Sequence, residues 1–320
     1  MKNEIKRKTP EGSYQHIYKR TVDGGVLFYR VADHLVYYTI QSVIARRHNL
    51  PIQASCHMFT HTHDMVAAVD PSQLIAFEHD LNIYYTREYN AETGRQGRLF
   101  ESPFGSAAKS SEKDKRSALI YIFNNPVEKK LVRRAIEDRW TFLAYYDNAF
   151  PFSAKPMLSR CRWALRNAMK EVDIEYRCGR YLGYAMLRRL FEGLNEEERW
   201  QLTDYIIHRY FYLDVKGGSK YFGGLSGMVK TVDETKGKEF EVGEEIDKWS
   251  DVPYREMCVA AGRAGLLRPG FPLWDLSTSR TDEIGRNLQS KTGATDLQVA
   301  KFLHRPFGKA TLNGRFFCEL

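Results

Sequence analysis

Two short segments of this 320-residue chain carry side chains suited to chemistry. The first is His61-Thr62-His63. In an extended strand, residues i and i+2 point to the same face, so two imidazoles there stand side by side and could share one divalent cation. A chance pair of surface histidines accounts for the tripeptide alone equally well. Cys56 and His57 precede the pair and leave a zinc reading open, although the spacing matches no standard structural zinc pattern. The second segment is YIFNNPV, residues 121–127. On a helix, Tyr121 and Asn125 are four residues apart and share a face. A tyrosine hydroxyl can act as a covalent nucleophile, and an amide oxygen can ligate a hard cation. The alternative is a core tyrosine and an asparagine that caps the helix before Pro126.

The surrounding pattern sets out the elements that must position these groups. Residues 14–21 read as a strand, and 28–48 carry apolar residues at helical spacing up to the stop at Pro51. Two short strand-like runs, 52–59 and 63–69, are separated by only Thr60, His61 and Thr62, as in a hairpin. Residues 71–89 read as a helix and 90–97 as a polar, glycine-bearing loop. Residues 99–104 read as a short strand that Pro103 confines to an edge. Residues 110–124 read as a helix that Pro126 breaks or kinks. This order predicts an α+β domain over residues 1–150: a ferredoxin-like antiparallel sheet with helices on one face.

Residues 151–320 read as a mainly helical accessory region. Helices are expected over 156–173, 179–193 and 196–213, the last capped by Asn195. The glycine- and charge-rich stretch 216–248 reads as a loop or linker. Helices return at 253–265 and 281–304. Within the latter, two apolar stretches flank Thr292-Gly293-Ala294. This is compatible with a DNA-binding helix-turn-helix carrying Asp296, Gln298, Lys301 and His304 on its second helix, or with two packed core helices.

Three segments taken together carry a resemblance: HMFTHTHDMVAAV (57–69), GRQGRLFESPFG (94–105) and ALIYIFNNPVEKKLV (118–132). They resemble the single-tyrosine transposases of bacterial insertion sequences, and among these the REP-associated tyrosine transposases, the domesticated branch linked to repeated extragenic palindromes. Members carry a His-hydrophobic-His pair on a central strand and, further on, a helix with a tyrosine followed by Asn-Pro-Val. Here His63 and Tyr121 are 58 positions apart, the interval the resemblance calls for. It spans residues 14–146, under half of the chain. Two departures stand out. Thr62 occupies the hydrophobic position, and Met58-Phe59-Thr60-His61 replaces the family's usual Met-Pro-Asn-His. Neither removes an atom the family's mechanism needs.

The resemblance implies that His61 and His63, with Asn125 as third ligand, hold Mg²⁺ or Mn²⁺, and that Tyr121 attacks a phosphate of single-stranded or hairpin DNA. The products are a 5′-phosphotyrosine and a free 3′-hydroxyl. Tyrosine ordinarily ionises near pH ~10, so Tyr121 needs activation, and the sequence names no base. Arg95 and Arg98 flank the Gly-x-x-Gly stretch, and Lys113, Lys115 and Arg116 precede Tyr121 on its helix; these five are candidate DNA contacts. Insertion-sequence relatives work as dimers and REP-associated ones can act as monomers, so a homodimer is one expected form. Two competing functions are a non-catalytic DNA-binding regulator that keeps the fold and an unrelated metal hydrolase using His57, His61 and His63.

Composition bounds these readings. Hydrophobic residues make up 43%, enough for a buried core, and no apolar run reaches the ~18 residues a spanning helix needs. The basic N-terminus has no apolar segment behind it, and five scattered cysteines form no CxxC pair; both fit a reducing cytoplasm. Lys and Arg number 48 against 40 acids, a net charge of +8 that favours a polyanionic partner. Residues 1–150 carry 21 bases and 17 acids, so the excess is shared evenly between the two parts.

Overall fold

The computed structural model describes residues 14–67, 70–235, 250–268 and 276–312. Its first part runs β1 (Tyr14–Arg20), α1 (Val31–Arg47), β2 (Ile52–His57), β3 (His61–Val66), α2 (Pro71–Thr93), β4 (Gly105–Lys109) and α3 (Glu112–Glu128). The four strands form one sheet in the order β2-β3-β1-β4, every neighbouring pair antiparallel. This is the ferredoxin-like arrangement, a β-α-β unit split by an inserted strand. Helices α1 and α2 pack together and cover one face. On that face Lys19 meets Glu78, Gln41 bonds Asp64, and the Tyr37 hydroxyl lies 3.4 Å from that of Thr62. Helix α3 lies against β2, β3 and β4 from the other side.

Local chemistry explains where the elements begin and end. Asp70 accepts from Ser72 N, Pro71 occupies the first turn of α2, and Gly94 closes the helix in the left-handed conformation. Helix α2 therefore reaches Thr93, into the stretch expected as loop. Ser111 and Asp114 cap α3 reciprocally. That helix continues through Pro126 to Glu128, because a proline in the last turn forfeits one hydrogen bond without cutting a long helix. Helix α1 is buried on nearly all sides. Its polar residues bond backbone of the later chain: Thr39 with Leu182, and Ser42 Oγ to Tyr210 O.

The fourth strand departs from expectation. Residues 99–104 contribute only an isolated bridge between Phe100 and Thr21, and the strand is Gly105–Lys109. Its sequence, GSAAK, has no β-branched or aromatic residue to announce it. Small side chains are required instead. A Cβ on Gly105 would lie 2.1 Å from a ring carbon of Tyr18, which the register places opposite.

The remaining helices are α4 (Trp163–Arg177), α5 (Tyr184–Phe191), α6 (Glu196–Arg209), α7 (Val215–Ser219), α8 (Leu225–Glu234), α9 (Val252–Arg263), α10 (Thr278–Thr292) and α11 (Asp296–Leu303). Helix α6 carries the expected Asn195 cap. The stretch 216–248, expected as loop, instead holds most of α7, a 3-10 turn at Lys220–Phe222 and α8; 236–249 lie outside the described residues. One hydrophobic core runs through residue 150, from Ile17 in β1 to Val232 in α8. A second cluster gathers α9, α10 and α11 around Met257, Leu288 and Phe302 and includes Val26 from the loop after β1.

Candidate active site on the open face of the sheet

Strand alternation and register assemble the site. Tyr18 pairs with His63 and Arg20 with His61, so the side chains of His16, Tyr18, Arg20, His61 and His63 share one face. Helix α3 lowers Tyr121 onto that face. The Tyr121 ring stands edge-on to His63 at 5.3 Å between centroids and to His16 at 5.6 Å. The His61 and His63 rings are 4.8 Å apart. One turn beyond Tyr121, the buried Asn125 donates from its amide nitrogen to Tyr121 O at 3.0 Å, which leaves the amide oxygen pointing away from the helix's own carbonyl.

Both imidazoles of the pair are neutral. Burial pushes His61 down to about 3, with Arg20, Lys129 and Lys301 adding positive charge. Burial likewise drives His63 well below its ordinary value, reinforced by His61 and His16. Neutral imidazole is the ligand form. Each Nδ1 has a neighbour: Thr60 Oγ1 lies 2.9 Å from His61 Nδ1, and His16 Nε2 lies 3.1 Å from His63 Nδ1. The buried His63 Nε2 has no hydrogen-bond partner among the described residues. A desolvated nitrogen without a partner suits a cation ligand in the tautomer that leaves its lone pair bare. Among the described residues no group of three His, Cys, Asp or Glu side chains could hold a metal ion. His61 and His63 share this face and Asn125 lies one turn beyond Tyr121 on α3; a cation held by two imidazoles and an amide would need water to complete its shell.

His16 is the residue sequence reading missed. It lies inside a segment recognised only as a strand, and nothing local distinguishes it. Its place beside His63 follows from the β1–β3 register, which sequence spacing does not reveal. His57 moves the other way. It pairs with Thr62, so its ring lies on the opposite face, nearly parallel to Phe28 at 5.1 Å. A three-histidine centre of His57, His61 and His63 is thereby excluded.

The five candidate DNA contacts fall in two places. Arg95 is tied into the turn after α2, bonding Asn90 Oδ1 and the carbonyls of Gly97 and Arg98; the Arg98 side chain is exposed. Lys113, Lys115 and Arg116 occupy the first turns of α3. Lys115 lies over the Tyr14 ring at 4.5 Å and Arg116 over Phe222 at 5.1 Å. Of the helix-turn-helix candidates, Gln298 bonds Ser250 O, Asp296 accepts from Gln289 and Lys309 N, and His304 bonds Asp23 and Val26 O.

Helix α11 is pressed against the site's own supports. Val26 N donates to Lys301 O at 2.9 Å and Tyr29 Oη to Phe302 O at 2.6 Å. Asp251 N, at the start of α9, donates to Lys129 O at 3.0 Å, where α3 ends. The α9–α11 unit thus touches both the loop after β1 and the end of the Tyr121 helix. That is why Lys129 and Lys301 join Arg20 in charging the surroundings of His61.

No helix among the described residues is long and apolar enough to cross a membrane. The four described cysteines are free; Cys318 lies outside the described residues. No family model matches the chain, and no curated protein matches it. Among solved structures it is similar to a REP-associated tyrosine transposase bound to a REP hairpin, at 16% identity over 43% of this chain and 80% of that one, with a TM-score of 0.35.

Proposed function

We propose that this chain cleaves and rejoins single-stranded or hairpin DNA through a covalent tyrosine intermediate. The observation that carries the reading is the placement of Tyr121. A helix with no sequence contact to β3 sets its ring against the very face that bears His61 and His63. Tyr121 Oη attacks the scissile phosphorus, the P–O3′ bond breaks, and the phenolic proton leaves with the 3′-oxygen. A 5′-phosphotyrosine and a 3′-hydroxyl result. Attack by a second 3′-hydroxyl reverses the step and rejoins DNA with no external energy source. Arg20, Lys129 and Lys301 hold the phosphates near His61, and Lys113, Lys115 and Arg116 extend the cationic track along α3. Held by His61, His63 and Asn125, Mg²⁺ or Mn²⁺ would supply Lewis-acid polarisation of the phosphate.

The test is incubation of the full chain with labelled hairpin DNA and Mn²⁺, followed by a denaturing gel. A covalent adduct is expected with wild type and none with Tyr121→Phe, while the variant still binds DNA. Cleavage by Tyr121→Phe would overturn the assignment. Binding without any adduct from wild type would favour the regulator.

A further inference from the structure

The contact between His16 and His63 raises a question of hydrogen placement that the rest of the site depends on. Both rings are essentially inaccessible to solvent. They stack at 5.1 Å with 29° between planes, and His16 Nε2 lies 3.1 Å from His63 Nδ1. Two ring nitrogens sharing one hydrogen bond need one donor and one acceptor. If His16 Nε2–H donates, the His63 proton sits on Nε2 and that atom cannot ligate. If His63 Nδ1–H donates, His63 Nε2 presents a bare lone pair. His16 Nδ1 and His63 Nε2 have no hydrogen-bond partner among the described residues, so this shared bond is what can set the tautomer.

We infer that His16 is a positioning residue: its Nε2 accepts from His63 Nδ1–H and so holds the His63 Nε2 lone pair ready for a divalent cation. The inference rests on the reading of His61 and His63 as a ligand pair. His61 repeats the design, with Thr60 Oγ1 at 2.9 Å from its Nδ1. Groups that orient a ligand in this way are worth about 10- to 100-fold in metal affinity.

Mn²⁺ binding to the full chain without DNA, measured by calorimetry or electron paramagnetic resonance, tests this apart from catalysis. His16→Phe keeps a ring in the stack but removes the acceptor, and should weaken Mn²⁺ binding by about 10- to 100-fold. His16→Gln places an amide oxygen near the lost Nε2 and should restore it, an outcome that packing alone does not predict. His63→Ala is the reference. If His63→Ala loses Mn²⁺ and His16→Phe binds it as wild type does, the role of His16 is rejected and the ligand pair stands. If His63→Ala also binds normally, the ligand pair fails and His16 with it. Should His16→Phe not fold, nitrogen-15 spectra of Mg²⁺-loaded wild type decide. His63 protonated at Nδ1 supports the inference, and protonation at Nε2 overturns it.

Discussion

Strands β1 and β3 present two faces built from alternating residues of the same few positions, and the faces handle polarity in opposite ways. Under α1 and α2, Lys19 and Glu78 are both fully buried and 2.9 Å apart, and Asp64 sits between Gln41 and the Lys19 charge. Charge is taken out of water there and neutralised by charge. Under α3 lie the buried His16 and His63 rings with the half-buried His61 and Tyr121, and cations gather outside at Arg20, Lys129 and Lys301. A closed face can afford fixed ion pairs because nothing has to enter. Under the proposed function the face under α3 receives a polyanion, and a neutral interior with positive charge at the rim suits that task. One strand serves both because its side-chain period is two.

The largest effect that would test this contrast lies on the closed face. Lys19→Met leaves Glu78 buried without its cation and should cost about 3–5 kcal/mol, read from urea unfolding midpoints. Adding Glu78→Leu should recover most of that loss, since a buried pair replaced by apolar residues is often neutral. His61→Ala, half-buried at the rim, should shift the midpoint far less. Equal losses for Lys19→Met and His61→Ala would dissolve the distinction between the faces.

The order of elements along the chain, the histidine pair and the tyrosine helix were legible because each rests on a local signal: period-two alternation or helical spacing. What could not be read depends on register and close approach. His16 becomes part of the site only when β1 pairs with β3. Gly105–Lys109 is a strand because it pairs with β1, and Gly105 is required where Tyr18 leaves no room for a Cβ. Helices α7 and α8 were hidden by glycines at 217, 218, 223, 224 and 227, which lower helix propensity but do not prevent α7 from packing against β2 or α8 against α3. The even division of charge does not say which basic residues of the later part lie near His61; the docking of α11 against the loop after β1 brings Lys301 there.

Acid should find the two faces alike, which sharpens where they differ. His57 on the closed face is driven well below its ordinary value by burial and then by Lys19; His34 is driven down by burial and then by His57. A histidine whose folded value is depressed contributes full stability above its unfolded value of ~6.5 and loses it as pH falls. From about pH 7.5 to about pH 5.5, each such group should cost about 1.4 kcal/mol. His57→Phe removes one proton acceptor from the Phe28 stack, so its midpoint should fall by about that much less over the interval. A fall equal to wild type would mean that His57 is not held neutral.

The smallest effect concerns the rim. Truncation at residue 150 would cut a continuous core, so the contribution of the later helices to DNA binding is better sought one side chain at a time. Lys301 is half-buried on α11, and its charge reaches His61. Lys301→Ala should weaken binding of single-stranded DNA uniformly across sequences and reduce the salt slope by about 0.7, the release expected for one phosphate on a single strand. Arg162 is the control. It is also a cation beyond residue 150, but it lies at the start of α4, bonded to Glu198 and Gly193 O, and is not among the charges that act on His61. Arg162→Ala should leave the slope unchanged. If both variants lower it equally, the positive charge acts as a diffuse field over the whole surface. If only Lys301→Ala does, the cations that matter are those the fold has brought to the open face.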